Sequence, residues 1–338
     1  MTDALVTHDR MNRLAPQYPS PLPTPTRLTF RHILVPLDGS LLAERSLPYL
    51  LAVARAGTAR LTLLQVLQQP HARFGSRGVD AIEWEMTRAE GQSYLAAIAG
   101  RLRAHGVESH IELVQGATAE RIGSFATHGA VDLVVMTSHG EGGVSAHWAR
   151  GSTAQKVIAA ATTSILVVPT HAAAGPPDDE VRLQRMLLPL DCSRRAECIL
   201  PAATALARAH DAELILAHVV PEPEMPRRMG PSRADIELAQ NVVERNRQEA
   251  TRYLRETQKR LAGDSSRIEV RLCVGSNRGQ RLRELAEREE IDLVILAAHG
   301  NTGDAHLRYG GLAAEFLQQG YGPVIILQDL ARLAEPHD

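Results

Sequence analysis

The sequence predicts an α/β protein made of two tandem domains, each built on a five-stranded parallel sheet. Residues 33–38 (ILVPLD) return 153 positions later as residues 186–191 (MLLPLD), and residues 131–140 return 160 positions later as residues 291–300. Two motifs repeated in the same order at nearly the same spacing indicate a duplicated domain. Each half also alternates short apolar segments with amphipathic helical segments, which is typical of a parallel α/β sheet.

The length of the chain, 338 residues, suits two domains of about 150 residues each. We predict a flexible proline-rich tail at 1–30, a first domain at 31–170, a linker at 171–181 and a second domain at 182–330. The tail carries five prolines and no continuous apolar segment, so it has the pattern of neither a signal peptide nor a core element.

The composition argues against several classes of function. A net charge of −2 gives no basic footprint for nucleic acid or an anionic membrane, and 4% aromatic residues make a base-stacking surface improbable. The apolar runs have the length of strands, so no membrane span is expected. Neither the three cysteines nor the 14 histidines have the spacing of metal ligands. We therefore expect no metal site made of protein ligands alone, and thiols kept reduced in the cytoplasm.

The elements follow in the same order in both halves. The predicted strands of the first half are residues 33–37, 61–67, 109–114, 132–137 and 165–168. A long helix is expected at 80–105, with its copy at 234–262, and the helix after strand one contains Pro48, as its copy contains Pro201. We predict two parallel sheets of strand order 3-2-1-4-5, with helices on both faces and a pseudo-twofold axis between the halves.

The fifth strands of the two halves are apolar. An apolar strand at a sheet edge favours aggregation unless another strand pairs with it. We predict that residues 165–168 and 324–327 pair within the chain, and that a homodimer forms through other surfaces.

A glycine-rich loop follows the fourth strand of each half. Ten residues separate Gly140 from Gly151-Ser152-Thr153, and nine separate Gly300 from Gly310-Gly311; each of these segments opens a helix. Glycines allow close approach to an anion, and a helix N-terminus supplies unpaired N–H groups and positive charge. The pattern predicts a phosphate cradle without the lysine of a Walker loop. A tight turn between strand and helix is the simpler alternative.

An aspartate ends the first strand of each half. Asp38 and Asp191 could accept a hydrogen bond from a ribose hydroxyl, hold a magnesium ion, or cap the helix that follows. The capping alternative fits Ser40 and Ser193, which stand at the expected helix starts.

Together these motifs resemble the universal stress protein family in a tandem form. Residues 36–40 (PLDGS) with 44–47 (ERSL) look like the first strand and helix of that family. Residues 138–143 (SHGEGG) with Gly151-Ser152 look like its ATP motif, G-x2-G-x9-G-[ST]. The resemblance implies an adenine nucleotide alpha hydrolase-like, Rossmann-like fold that binds ATP, or ADP or AMP, with Mg²⁺ as a possible companion. It also implies dimerisation through fifth strands.

The resemblance implies two nucleotide sites. In the first half, Asp38 would contact the ribose, the backbone of Val66 the adenine, and the glycine loop the phosphates. The first-half site residues are Pro36, Leu37, Asp38, Val66, Met136, Thr137, His139, Gly140, Gly143, Gly151, Ser152 and Thr153. The second-half site residues are Leu190, Asp191, Val219, His299, Gly300, Gly303, Gly310 and Gly311. The second site is expected to bind more weakly because Gly311 replaces the hydroxyl residue. Thr137 and Ala297 replace the first glycine of the motif.

Three functional hypotheses remain open at this stage. The first is a stress-response protein that binds ATP and meets an unknown protein partner without strong catalysis. The second is a slow ATPase, for which only the strand-one aspartates and Lys156 are candidates. The third is a scaffold with degenerate pockets. His139 and His299 could contact a phosphate, but we expect them to order the turn. Arginines after strand two could cover a polyphosphate or form a solvated loop, namely Arg73, Arg77, Arg227, Arg228 and Arg233.

Overall fold

The computed structural model describes residues 30–68, 81–138, 152–170, 181–223, 232–263, 267–301, 307–320 and 322–328. The elements of the first half are β1 (His32–Leu37), α1 (Leu41–Glu44), α2 (Leu47–Ala54), β2 (Arg60–Leu67), α3 (Ala81–Ala104), β3 (Ser109–Gln115), α4 (Thr118–His128), β4 (Leu133–Thr137), α5 (Ser152–Ala160) and β5 (Ser164–Val168).

The second half repeats this order. Its elements are β6 (Arg185–Pro189), a 3-10 helix (Ala196–Ile199), α6 (Leu200–His210), β7 (Glu213–Val220), α7 (Arg233–Leu261), β8 (Ile268–Val274), α8 (Arg278–Arg288), β9 (Leu293–Ala297), α9 (Gly311–Gln319) and β10 (Val324–Leu327). The predicted α/β class is confirmed. The domain limits themselves stay a prediction, because the predicted tail and nearly all of the predicted linker lie outside the described residues.

The strands form one continuous sheet of ten, in the order β3-β2-β1-β4-β5-β10-β9-β6-β7-β8. Each half has the order 3-2-1-4-5 and is parallel within itself. The two fifth strands pair antiparallel, with Ile325 opposite Leu166. The expectation that they pair within the chain is therefore correct, but the expectation of two separate sheets is wrong. Pairing removes two exposed apolar edges at once, which explains why the sheets join.

The helix that follows the first strand is broken in both halves. The sequence predicts one helix with an internal proline, and this prediction is wrong. In the first half α1 ends at Glu44 and α2 begins at Leu47, so that Pro48 lies in the first turn of a new helix. In the second half a 3-10 helix precedes α6, and Pro201 has the same place. Proline lacks the N–H that the interior of a helix needs, whereas the first turn needs no such bond.

Two hydrophobic cores lie on the two faces of the sheet. Side chains of α2 and α3 share one core with those of α6 and α7, so this core crosses the boundary between the halves. Side chains of α4, α5, α8 and α9 pack on the other face. A direct contact joins the halves on the first face, where His210 Nε2 lies 2.8 Å from the carbonyl oxygen of Ala52. None of the helices in the described ranges combines the length and apolarity needed to cross a membrane.

A repeated aspartate ties the start of the first strand to the start of the fourth. Asp132 Oδ2 accepts hydrogen bonds from the backbone N–H groups of Arg31 and His32, at 2.8 and 2.9 Å. Asp292 does the same for Gln184 and Arg185, at 2.7 and 2.9 Å. This aspartate of the second repeated motif therefore lies at the amino ends of the strands, away from the predicted nucleotide site, and its role is to set strand register.

Candidate functional site

A crevice is expected in each half where β1 meets β4 and where β6 meets β9. The chain leaves β1 for β2 on one side and leaves β4 for β5 on the other, so the order of strands reverses at this point. The helices that follow the two strands accordingly pack on opposite faces. Ligands of open α/β sheets bind outside the carboxyl ends of the strands at such a reversal. Asp38 directly follows β1, and Asp191 lies two residues after the end of β6, at these two places.

The structure describes most of the predicted site residues. The first-half residues at or beside strand ends are Pro36, Leu37, Asp38, Val66, Met136 and Thr137, while Ser152 and Thr153 open α5. The second-half residues at strand ends or at the start of α9 are Leu190, Asp191, Val219, His299, Gly300, Gly310 and Gly311. The predicted site residues outside the described ranges are His139, Gly140, Gly143, Gly151 and Gly303, together with Arg73, Arg77, Arg227 and Arg228. Arg233 is the first residue of α7.

In the second half, Asp191 joins the end of β6 to the loop after β9. Its Oδ1 accepts from the backbone N–H of Ser193 at 3.1 Å, and its Oδ2 accepts from that of Asn301 at 2.6 Å. Gly300 packs directly on this carboxylate, so closely that a Cβ at position 300 would overlap Asp191 Oδ2. The strand-one aspartate and the first loop glycine are thus brought into contact, and a side chain at position 300 would have to displace the Asp191 carboxylate.

The other end of this loop returns to the same strand end. The backbone N–H of Gly310 donates to the carbonyl of Ala298 at 2.7 Å, and α9 begins at the next residue. His299 is only 1% exposed, and its Nε2 contacts the carbonyl oxygen of Leu307. Its ring therefore packs inside the turn. Because a glycine precedes α9, no side chain at position 310 caps the first N–H groups of this helix, which suits an anion.

In the first half, Asp38 is exposed and is bonded to its own side of the crevice. Its Oδ1 accepts from the backbone N–H of Ser40 at 3.0 Å and from the Ser40 hydroxyl at 2.6 Å. Ser40 Oγ in turn accepts from the N–H of Ala43 and so caps α1. Ser193 caps the 3-10 helix of the second half through Ala196 in the same way. Ser40 and Ser193 therefore cap the helices that follow the first strands. Asp38 and Asp191 accept hydrogen bonds from these two serines.

Two residues of the second strand border these aspartates and were not recognised from sequence. His218 Nδ1 lies 2.7 Å from the carbonyl oxygen of Leu190 and 3.9 Å from Cys192 Sγ. Burial lowers the pKa of His218, so its ring is neutral at pH 7. Gln65 holds the equivalent place beside Gly39, to judge by the strand register. The period-two alternation of β2 and β7, combined with the repeat, would have identified both residues.

An acidic residue with an arginine partner lies behind each strand-one loop, buried in the first half and partly buried in the second. Glu44 accepts from Arg101 Nη1 at 2.7 Å, and Glu197 pairs with Arg260 Nη2 at 3.0 Å. The hydroxyl of Tyr253 also donates to Glu197 at 2.9 Å, and burial together with this carboxylate raises the pKa of Tyr253. These pairs link the short helix after strand one to the long helices α3 and α7. They fix the loops that carry Asp38 and Asp191.

The two sites differ in charge at the helix after the fourth strand. Lys156 is exposed on α5, whereas the equivalent residue of α9 is Glu315. The Glu315 carboxylate packs against Gly279 at the start of α8, and burial raises the pKa of that carboxyl. The second site therefore lacks the cation, Lys156, that the first site has on this helix.

Within the described ranges, no three histidine, cysteine, aspartate or glutamate side chains come together as metal ligands would.

Comparisons with known proteins point to one family. The model of the universal stress protein family matches residues 29–169 and again residues 182–328. The chain is 28% identical over 140 residues to universal stress protein MJ0531 of Methanocaldococcus jannaschii, covering 41% of this chain and 82% of the relative. It is 23% identical over 157 residues to MJ0577 of the same organism, covering 44% of this chain and 96% of the relative.

A solved structure covers both halves together. The crystal structure of a universal stress protein from Archaeoglobus fulgidus matches with a TM-score of 0.63 at 15% identity, covering 88% of this chain and 98% of that one. At this identity the match establishes the fold only. Taken with the two matches of the family model, it leaves one conclusion: the chain belongs to the universal stress protein family, with one family domain in each half.

Proposed function

We propose that the protein is a regulatory member of this family that binds an adenine nucleotide, ATP or else ADP or AMP, and acts in the stress response without strong catalysis. The observation that carries this proposal is the aspartate at each strand reversal, which in the second half contacts the loop that follows the fourth strand. A carboxylate there suits a ribose hydroxyl, and a helix start suits a phosphate.

The nucleotide would lie across the carboxyl ends of β1 and β4. Asp38 would accept from the ribose, the backbone of Val66 would face the adenine, and the glycine loop with the start of α5 would bind the phosphates. Mg²⁺ fits the same arrangement, because it is usually held by one or two carboxylates together with substrate phosphates. When bound, it would neutralise phosphate charge.

The second site is proposed to bind more weakly. Asp191 already accepts two backbone hydrogen bonds, one of them from the loop that would receive the phosphates. Glu315 also stands where the first half has Lys156. Glu315 in place of Lys156, together with Gly311 in place of Ser152, favours a degenerate second pocket as a specific alternative, in which this half serves only as a scaffold.

Strong catalysis is not part of the proposal. Phosphoryl transfer needs a positioned base and several cations near the transferred group. Asp38 is held by Ser40, and Lys156 is exposed on α5. Slow ATP hydrolysis is therefore the most that we propose. A cytoplasmic location, a homodimer formed through surfaces other than the paired fifth strands, and a protein partner complete the proposal.

Two measurements test it. Native mass spectrometry of the purified protein should detect a retained adenine nucleotide, and calorimetry should then give the affinities for ATP, ADP and AMP. One strong site and one weaker site are expected. No detectable heat at millimolar nucleotide, together with no retained ligand, would contradict nucleotide binding and favour the scaffold alternative.

A further inference from the structure

The two end strands of the described sheet differ in exposure. They are β3 and β8, which are equivalent strands of the two halves, 159 positions apart (268 − 109). Every residue of β8 is partly buried. In β3, by contrast, His110, Ile111 and Glu112 are exposed, and the exposed fraction of Ile111 is 36%. An exposed apolar side chain on an end strand is a surface on which another strand can pair.

The outer edge of β8 is covered by side chains of its own half. Alternate residues of an end strand turn their backbone groups away from the sheet, and in β8 these include Ile268 and Val270, since the carbonyl of Arg267 bonds to β7. Gln258 Nε2 donates to the carbonyl of Ile268 at 2.6 Å, and Arg271 Nη1 donates to that of Val270 at 3.3 Å. These bonds occupy carbonyls that a further strand would need.

The first half has no donor at the two equivalent positions. Ala99 and Glu112 stand where the second half has Gln258 and Arg271 (258 − 159 and 271 − 159). Neither an alanine nor an ionised glutamate side chain can donate a hydrogen bond to a carbonyl. The backbone N–H and C=O of Ile111 face outward, because the residues on either side of it bond to β2. The duplication therefore left one edge covered and the other suited to pairing.

We propose that β3 pairs antiparallel with β3 of a second copy of this chain, about a twofold axis at Ile111. The proposal rests on the homodimer proposed above and names its surface, and it does not depend on nucleotide binding. Ile111 exchanges both of its backbone hydrogen bonds with Ile111 of the second copy. A twofold axis makes the surface self-complementary, as the commonest protein dimers are.

The side chains of β3 select this register. An axis at Ile111 places His110 opposite Glu112 of the second copy, twice, in the pairs where side chains come closest. An imidazole N–H donates to a carboxylate whether the ring is neutral or charged. An axis at Glu112 would instead place two glutamates directly opposite each other, which is destabilising. The exposed Ile111 side chains of the two copies also cover each other.

Sedimentation equilibrium of the full chain over the micromolar range tests the surface. Ile111→Lys should raise the dissociation constant of the dimer roughly tenfold or more, because two lysines replace an apolar pair. Ile236→Lys is the matched control, because Ile236 is 44% exposed on α7, and this variant should dimerise as the wild type does. Circular dichroism and urea unfolding establish that each variant is folded.

A charge exchange tests the register. His110→Glu places glutamates opposite each other at both pairs, so it should weaken the dimer roughly tenfold. The double variant His110→Glu with Glu112→Arg restores opposite charges across the interface and should regain the affinity of the wild type. Failure of this rescue would contradict the axis at Ile111.

A cysteine at position 111 tests the contact itself. The Cα atoms of a hydrogen-bonded antiparallel pair lie about 5.5 Å apart, within the span of about 4.4–6.8 Å that a disulfide bridges. Ile111→Cys should therefore form a disulfide-linked dimer on mild oxidation, and Ile236→Cys, which has the same native cysteines, should not.

The outcomes separate this surface from the homodimer as such. A wild type that is monomeric throughout the micromolar range would overturn both. A dimeric wild type whose dissociation constant is unchanged in Ile111→Lys, or raised equally in Ile236→Lys, would overturn the β3 surface and leave the homodimer in place.

Discussion

Replacing Asp191 with alanine tests the difference between the two strand-end sites most directly. The carboxylate of Asp191 holds both Ser193 and Asn301 by backbone hydrogen bonds, so it joins two separate segments of the chain. Asp38 is the matched residue of the first half, and its Oδ1 accepts from the backbone N–H and the hydroxyl of Ser40, two positions away. Asp38 is exposed whereas Asp191 is half-buried, so the same substitution should cost less stability at Asp38.

The size of each effect follows from these bonds. A hydrogen bond to a charged group contributes about 1.5–3 kcal/mol, and exposure to water reduces this value. Asp191 is half-buried and Asn301 is exposed, so water can replace part of the loss in Asp191→Ala. We expect its free energy of unfolding to fall by about 2 kcal/mol. Asp38 is exposed, so water weakens its hydrogen bonds further, and Asp38→Ala should cost about 0.5–1 kcal/mol.

Nucleotide affinity should respond in the opposite order. Asp38→Ala should weaken ATP binding roughly 10- to 150-fold, the equivalent of one hydrogen bond between the ribose and a charged group. Asp191→Ala should change the affinity of the stronger site little.

Urea unfolding and calorimetry measure the two responses. A slope of about 2 kcal/mol per molar urea converts the expected loss in Asp191→Ala into a midpoint lowered by about 1 M. An unchanged free energy of unfolding in Asp191→Ala would refute the assignment of Asp191 as the link between Ser193 and Asn301. Unchanged ATP affinity in Asp38→Ala, with binding present in the wild type, would refute the ribose contact.

Three further outcomes follow from the contacts described. Gly300→Ala should destabilise the protein by about 1–3 kcal/mol because its Cβ would overlap Asp191 Oδ2, and the added substitution Asp191→Ala should cancel most of this cost in a double-mutant cycle. Ile325→Pro should lower the free energy of unfolding by at least about 1–3 kcal/mol, because proline removes a backbone hydrogen-bond donor from β10, where Ile325 lies opposite Leu166. This variant should also aggregate, as measured by light scattering, whereas Ile325→Val should not. Burial raises the pKa of Cys192 from 9.0 to about 12, so its thiol stays protonated and should react slowly with a disulfide reagent at pH 8 until urea unfolds the protein. Because the pKa is higher in the folded state, the contribution of Cys192 to stability is constant below pH 9 and is lost between about pH 9 and 12. Rapid reaction of the Cys192 thiol in the folded protein at pH 8 would contradict the raised pKa.

The repeat and the hydrophobic pattern predict most of the secondary structure. The predicted strands and long helices agree with the observed ones to within one residue, because these segments are apolar runs bounded by polar residues and glycines. The helix after strand one is the exception. The sequence places Pro48 and Pro201 within an amphipathic pattern, and only the three-dimensional structure locates the break before each proline.

The sequence by itself determined the duplicated α/β architecture and the strand ends near which Asp38 and Asp191 lie, because strand periodicity, glycines and the repeat are local properties of a chain. Tertiary structure decided the rest. It joined the two sheets through β5 and β10, since an apolar edge is satisfied by any complementary edge and a sequence does not name its partner. It also set Asp191 against Gly300, which is 300 − 191 = 109 positions away in the sequence, because β6 and β9 lie side by side in the sheet. A local sequence pattern does not show which strands become neighbours, and only the packing of the chain decides it.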